Sequence, residues 1–333
     1  MKVIVDSLNI VFISFSVAKR KALEEEGKEI FTEEDMPFFY HLLLNKLIEY
    51  HKTYGEIIYA KEGKHSTAWR KERYPLYKGN REYDSSNDIL FKNIDKIYEL
   101  ISLFPSKQVS VEGAEGDDVM YSLSTHFADL GEDVLVISGD RDMVQLHNFN
   151  KKINVYDPRK RTIFPPDPNI VEYKAIVGDT SDNIKGVPRL GKKTFEKMMA
   201  DENVFKAKLN GKEEIYESIL DIVDLRRFPK EVGNKIIEAY TKQEWTKFDS
   251  QSIEAFLIEN SLNQHLNYWY KNSNDIISAL GDKGEELNTV SFLDNLEYEK
   301  DNELSLESLE LALEELNKII WKEKEEIEQG HKF

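Results

Sequence analysis

Residues 108–123 read QVSVEGAEGDDVMYSL, and the spacing of the apolar residues changes halfway through them. Before the change, 109–111 is a short β-branched run of the kind that forms a buried strand. After it, the spacing over 116–130 is helical, and Gly131 stands where such a helix would stop. Glu115, Asp117 and Asp118 lie where strand hands over to helix. The same order recurs along the first half of the chain: apolar runs at 3–5, 57–59 and 134–137 predict further short strands, and helical spacing at 36–50 and 88–103 predicts helices between them. Strand and helix in alternation imply an α/β fold with a mostly parallel central sheet flanked by helices. In such a fold the ligand crevice lies beyond the carboxyl ends of the strands. From about residue 165 onward the pattern is helical without a strong strand signal. The expected division is an α/β core over 1–180, a helical region over 181–280 and an acidic helical segment over 281–333.

The acidic residues fall at the predicted strand ends. Asp6 follows KVIV, Glu62 follows EIIYA, and Asp140 and Asp142 follow VLVIS; with Glu115, Asp117 and Asp118 they bring seven carboxylates to one edge. A single aspartate after a strand reads as a helix N-cap or turn residue. Seven together would repel one another unless cations neutralised them, so the pattern predicts metal binding. Cysteine is absent, which leaves oxygen or imidazole ligands and favours hard cations. His41, His51 and His147 have no partner at a metal-ligand spacing and read as structural. Two divalent ions roughly 3.5–4 Å apart, held by such carboxylates, can acidify a water and stabilise a leaving oxygen. Asp140 and Asp142, one residue apart, can be aimed together by a turn, and Asp179 and Asp182, three apart, are expected on one helical face.

A formal net charge of −17 argues at first against a nucleic-acid partner. The distribution reverses that reading. Residues 281–333 carry 16 of the 62 acidic residues and only 6 of the 45 basic ones, whereas residues 61–81 hold seven Lys or Arg against two acids. No run of about 18 apolar residues offers a membrane span, and the start MKVIVDSLNIVF is unlike a signal peptide. The expectation is a cytoplasmic protein with no membrane partner. In the acidic segment Leu306, Leu309, Leu313, Leu316 and Ile320 recur at helical spacing. They predict an amphipathic helix that packs on the chain's own core or docks on a partner protein.

Three segments, VEGAEGDDVMYSL, VISGDRDMVQL and IVGDTSDNIKGVPRLGKKT, together resemble the flap endonuclease family of 5′ nucleases, and within it the branch of T-even bacteriophage ribonucleases H. The first is similar to the family's Glu-Ala-Asp-Asp helix start, with Gly116 in place of alanine. VISGDRDMVQL resembles its Ser-x-Asp-x-Asp-x-x-Gln-Leu segment, and the last of the three its Gly-Asp-x-x-Asp-Asn run followed by a helix-two-turn-helix. The resemblance covers most of 1–260 and implies a PIN-like 5′ nuclease core with a helical arch at about 70–105. It implies two Mg2+ ions, with Mn2+ as the alternative, and assigns Asp6, Glu115, Asp117, Asp140 and Asp142 to a first metal region and Asp179 and Asp182 to a second. Asp118 would act through water. Glu62 departs from the family's aspartate and reads either as a ligand with a longer reach or as a surface glutamate in the AKEGKH turn.

The stretch AWRKERYPLYKGNRE resembles the segment that leads into the arch. There Arg70 is expected to bind nucleic acid, Lys78 and Arg81 to contact the scissile phosphate as catalytic cations, and Tyr77 to stack on an unpaired base; an ordinary solvated basic helix is the alternative. Gly186, Gly191, Lys192, Lys193 and Thr194 in GVPRLGKKT would hold duplex backbone, with glycines that admit phosphates and a helix start that presents amides. In the family this loop often binds K+, and a helix C-cap and turn is the plain reading. The implied function is a 5′-3′ exonuclease and flap endonuclease acting on branched or 5′-ended DNA and RNA-DNA duplexes, removing RNA primers in phage replication. A single-stranded DNA-binding protein and a sliding clamp are the implied partners. A PIN-like ribonuclease would not need GVPRLGKKT, and a branch-binding protein that has lost hydrolysis would not need nine acidic site residues.

Overall fold

A computed structural model of the protein describes residues 1–81 and 84–260, together with Leu262, Leu266 and Trp269. The acidic segment at 281–333, its leucine stripe and most of 261–280 lie outside the described residues. The core is a six-stranded sheet in the order β3-β2-β1-β4-β5-β6. Its strands are β1 (Lys2–Asp6), β2 (Ile57–Ala60), β3 (Ser106–Val109), β4 (Val134–Ile137), β5 (Ile153–Asp157) and β6 (Thr162–Ile163). The first five run parallel, and only β6 turns back antiparallel on β5. The register sets Asp6 beside Ala60, Ala60 beside Val109 and Ile137 beside Tyr156. The carboxyl ends of five strands therefore finish on one edge.

Both faces of the sheet are covered, as a parallel sheet requires. Side chains alternate across a strand. Val3, Val5, Ile57, Tyr59, Leu135 and Ile137 thus enter one core, while Ile4, Ile58, Ala60, Val134 and Val136 enter the other. The first core is closed by α1 (Ser7–Arg20), α2 (Met36–Tyr54), α5 (Ile94–Ser102) and α13 (Ser250–Glu259). The second is closed by α6 (Gly116–Asp129), α7 (Leu146–Phe149), α11 (Glu213–Val223) and α12 (Lys230–Lys242). A small third core joins α8 (Ile170–Val177), α9 (Lys192–Ala200) and α10 (Glu202–Leu209). Two short helices, α3 (Ala68–Arg73) and α4 (Asp88–Lys92), lie in the stretch expected to form the arch. Among the described residues no helix is long and apolar enough to cross a membrane.

Two expectations change in detail, and strand β5 was not expected. The strand expected at 109–111 is displaced to Ser106–Val109, because the chain leaves the ladder where Gly63 packs under Val111 and donates its N–H to the Ala114 carbonyl at 2.9 Å. The helix expected over 88–103 is two helices. Asn93 breaks it by turning its side-chain amide back to the Ile89 carbonyl at 2.9 Å. Strand β5 had no expectation at all: INVYD alternates, but its burial is decided by β4 beside it and not by its own composition.

His51 shows how a histidine can be structural. At the end of α2, where Gly55 takes φ 74°, its Nδ1 lies 2.7 Å from the Gly55 carbonyl and its Nε2 3.0 Å from the Tyr59 hydroxyl. The carbonyl can only accept, so Nδ1 carries the proton and Nε2 accepts from the tyrosine. The ring stacks on Phe104 at 5.0 Å, and burial lowers its pKa to about 4. A depressed histidine contributes stability above the ordinary value near 6.5 and loses it as the pH falls through about 4. The variant His51→Phe keeps the stack but strands the Tyr59 hydroxyl and the Gly55 carbonyl. It should cost about 1–3 kcal/mol at pH 7.5, measured by denaturant midpoints, with the gap to the parent narrowing from pH 6.5 towards pH 4. An unchanged midpoint at pH 7.5 would show that these hydrogen bonds do not matter.

Candidate metal and nucleic-acid site

Asp6 ends β1 and caps α1. One carboxylate oxygen accepts from the Asn9 amide at 3.0 Å and the other from the Ser138 hydroxyl at 2.9 Å. The Ser138 oxygen also accepts from the Asp140 amide at 3.1 Å, so one buried hydroxyl ties the ends of β1 and β4 together. The Asp140 side chain in turn accepts from the Asp142 amide at 2.8 Å. The plain N-cap reading of these aspartates and their assembly into a cluster are therefore both true. Burial, with the charge of Asp140 adding to it, pushes Asp6 up to about 6. Asp117, in the first turn of α6, is held well above the usual carboxylate range by burial and then by Asp140 and Asp6.

Glu115 behaves oppositely. Burial opposes its charge, yet Arg70 and Lys78 hold it below the ordinary value. One of its oxygens accepts from Arg70 Nη1 at 2.6 Å and from the Tyr77 hydroxyl at 2.9 Å, and the other pairs with Lys78 Nζ. Arg70 also reaches both oxygens of the fully buried Asp118, at 2.9 and 2.6 Å, and its Nε donates to the Ile222 carbonyl at 3.2 Å.

These contacts move three residues from their expected places. Arg70 and Tyr77 are buried beneath the cluster, because the Glu115 carboxylate recruits them as donors; neither presents itself to nucleic acid, and the Tyr77 ring is inside the second core. Asp118 spends both oxygens on Arg70 and on the Glu115 amide, 2.9 Å away. Its place is that of a strut between α3 and α6.

Glu62 turns its carboxylate to the start of α6 and accepts from the Gly116 amide at 3.1 Å. A side chain at position 116 would meet that oxygen at 3.5 Å, an ordinary contact, so glycine there answers no steric demand. Lys78 lies between two carboxylate groups. While its ammonium pairs with Glu115, its backbone amide donates to the Asp182 carbonyl at 2.9 Å. Arg81 is exposed and donates to Asp182 at 3.0 Å.

The second group is Asp142, Asp179 and Asp182, whose carboxylate oxygens lie within 4.8 Å of one another. Asp179 and Asp182 do not share a helical face. α8 ends at Val177, Gly178 takes φ 98°, and Asp179 bridges Ile184 through two backbone hydrogen bonds of 2.7 Å, so both aspartates stand on a tight turn. That turn explains two glycines. A Cβ on Gly178 would lie 2.4 Å from the Ile184 carbonyl oxygen, and one on Gly186 would lie 2.6 Å from the Gly178 nitrogen. Gly186 is therefore required by the crossing of two backbone segments.

Lys174, which the sequence reading passed over, pairs with Asp142 and lies 2.5 Å from Asp179. A lysine five residues before an aspartate has no spacing that separates it from a solvated helix face. Burial and Asp140 push Asp142 up to about 7 despite Lys174. Asp179 is lowered: its burial works the other way, but Lys174 and Ser181 outweigh it.

Gly191 caps α9 with open space where a side chain would be, and Lys192 and Lys193 are exposed at the start of that helix, with Thr194 half-buried behind them. A groove of about 1080 Å3 runs from Asp142, Lys174 and Asp179 past Arg141 and Lys185 to Lys192. The donor set suits divalent hard cations: carboxylates only, drawn together by the fold, with Asp6, Glu62, Asp117, Asp118, Asp142 and Asp182 all pushed up in pKa by burial and mutual repulsion.

Comparison with known proteins agrees with this fold. The N-terminal resolvase-like domain of 5′-3′ exonucleases matches residues 1–175. The chain is 29% identical over 209 residues to a DNA polymerase I of Caldicellulosiruptor bescii, a match covering 59% of this chain and 23% of the polymerase. It is also 29% identical over 177 residues to a 5′-3′ exonuclease of Buchnera aphidicola, covering 49% and 60% respectively. The matches thus span less than two thirds of these relatives' lengths. A solved structure of T5 5′-exonuclease with bound divalent zinc superposes with a TM-score of 0.51 over 72% of this chain and 98% of that one, at 21% identity, a likeness of fold.

The raised carboxylates make a thermodynamic prediction. A carboxyl whose folded pKa is raised contributes stability below its ordinary value and loses it as the pH rises through the folded value. For Asp6 and Asp142 that window runs from about 4 to about 6 and about 7. The metal-free variant Asp117→Asn should therefore melt above the parent at pH 8, and the difference should shrink towards pH 5. Mg2+ should raise the parent's melting temperature at pH 8 more than the variant's. Coincident metal-free melting curves at pH 8 would contradict the repulsion argument.

Proposed function

Because the chain belongs to the 5′-3′ exonuclease family through its N-terminal resolvase-like domain, we propose that it is a metal-dependent 5′ nuclease that hydrolyses phosphodiester bonds near the 5′ ends of branched DNA and RNA-DNA duplexes. The observation that carries this reading is the pair of carboxylate groups on the edge of the sheet with Lys78 between them. Asp6, Asp117 and Asp140, supported by Glu115 and Glu62, would hold one divalent cation, Mg2+ in the first instance, and Asp142, Asp179 and Asp182 a second. Bound there, the cations would supply an acidified water and stabilisation of the leaving oxygen.

The remaining work falls to the chain. Lys78, already tethered to Glu115, would place its ammonium against the scissile phosphate, and the exposed Arg81 would add a second cationic contact when it leaves Asp182. Gly191, Lys192 and Lys193 would grip the duplex backbone without reading bases. The crossing of Gly178 and Gly186 fixes the distance between that grip and the second carboxylate group. Against a branch-binding protein without hydrolysis, neither departure from the family's pattern disables the cluster: Glu62 keeps its carboxylate at the start of α6, and Gly116 leaves room for the usual alanine. Primer and flap removal in phage replication is the setting that the sequence resemblance favours, and the acidic segment over 281–333 is the element we assign to replication partners.

Digestion of a 5′-labelled flap, a nicked duplex and an RNA-primed duplex tests the reading, each with Mg2+ and with chelator. Cleavage should require the metal, and a chain that cuts none of the three is not this enzyme. Asp140→Asn or Asp142→Asn should lower cleavage by about 100-fold or more while branched-DNA binding persists, because removing a charge also lessens repulsion of phosphate. Normal turnover in either variant would remove that residue from the site. Changing Lys192 and Lys193 together to Ala should weaken duplex binding equally for all sequences and flatten its salt dependence by about one to two counterions. An unaltered slope would show that α9 does not clamp the backbone.

A further inference from the structure

The hairpin of β5 and β6 adds nothing to either carboxylate group, yet it carries a buried charge. Asp157, at the end of β5, is fully buried, and one of its oxygens has no hydrogen-bond partner among the described residues. Its other oxygen accepts from the Arg159 amide at 3.0 Å and from Arg159 Nε at 3.2 Å. An ion pair between a buried carboxylate and a half-buried guanidinium is a weak source of stability, since desolvation offsets its attraction, so the pair calls for another reason.

The far end of the guanidinium supplies one. Arg159 Nη2 donates to the carbonyl of Gly139, the residue between Ser138 and Asp140. From the other side, the Gly139 amide donates to Asn9 Oδ1 at 3.0 Å, and Asn9 itself donates its backbone amide to Asp6. Gly139 is not in the left-handed region. It is glycine because a Cβ there would lie 2.7 Å from Arg159 Nε, 3.0 Å from the guanidinium carbon and 3.1 Å from the Asn9 side-chain nitrogen. The peptide is thus clamped at both its donor and its acceptor, between the residue that orients Asp6 and a guanidinium that Asp157 holds still.

We propose that Arg159 is a positioning residue which, anchored by the buried Asp157, grips the Gly139 carbonyl and sets the turn that presents Asp140 and Asp6 to a common cation. The inference rests on the metal reading of Asp6 and Asp140 proposed above. It gives the antiparallel edge strand a purpose: β6 reverses the chain so that the loop over 158–161 returns across the end of β4.

The test titrates Mn2+ into the full chain without DNA, by calorimetry, and follows cleavage in parallel. Arg159→Ala should remain folded by circular dichroism and bind Mn2+ about 10–100-fold more weakly, the range usual for loss of a group that orients a ligand. Added guanidinium ion at low concentration should restore part of that affinity, which a purely structural lesion would not allow. Gly139→Ala should weaken Mn2+ binding by pushing the guanidinium aside, and the loss in the double variant should fall short of the sum of the two single losses, because the new methyl then meets only the Asn9 side-chain nitrogen. Should Arg159→Ala fail to fold, Arg159→Lys serves in its place: the ammonium can pair with Asp157 or reach the carbonyl but not fork to both, so an intermediate affinity is expected. Parent-like Mn2+ affinity in a folded Arg159→Ala overturns the proposal, as do losses that simply add in the double variant. Failure of the metal reading would look different, with the parent itself taking up no Mn2+ and Asp140→Asn changing nothing.

Discussion

Repulsion among carboxylates at the carboxyl edge of the sheet is the constraint on which the rest of this structure depends. Parallel strands deliver Asp6, Asp140 and their neighbours to one place, and burial makes their charges harder to bear. The fold meets this load unevenly. Glu115 is neutralised from within by Arg70 and Lys78, with the Tyr77 hydroxyl donating as well, and Asp118 is paired with Arg70 although burial still holds it above the ordinary value. Among the described residues Asp6 and Asp117 have no such cation at hydrogen-bonding distance and remain pushed up in pKa, which leaves them as the groups with most to gain from a bound divalent ion.

That division organises the chain after β2. Breaking the Arg70–Asp118 pair by removing one partner would cost about 3–5 kcal/mol, the usual consequence of stranding a buried charge, so α3 is fastened to α6 by more than packing. Through this fastening the turn that follows α3 is fixed, and Lys78 arrives beside both carboxylate groups with its backbone bonded to Asp182. The basic stretch expected to contact nucleic acid is thus partly an internal scaffold, with Lys71, Arg73 and Arg81 left exposed.

The turn after α8 performs a similar coupling on the other side. Two glycines let the backbone cross itself, and the crossing brings Asp179 and Asp182 to Asp142 while directing α9 outward with Lys192 and Lys193 at its start. One local geometry thereby sets both the second carboxylate group and the basic helix terminus. Lys174 completes it by supplying a positive charge to two of the three aspartates.

By itself the sequence determined four strands of the sheet, β1 to β4, and the edge on which the acids gather. Short apolar runs have few alternatives to buried strands, and an acidic residue immediately after a strand must lie at its carboxyl end whatever else the chain does. What the tertiary structure decided was which of those charges face inward. Asp117 and Asp118 are adjacent in sequence, but one full residue of helical rotation sends the first towards Asp140 and the second into Arg70. Arg70 and Arg73 are equally basic letters, and only the position of α6 makes one buried and the other exposed. Lys174, Arg159 and Asp157 were illegible for the same reason: their partners are far off along the chain or carry no distinguishing pattern, and the distances that give them meaning exist only after β4, β5 and α8 have packed together.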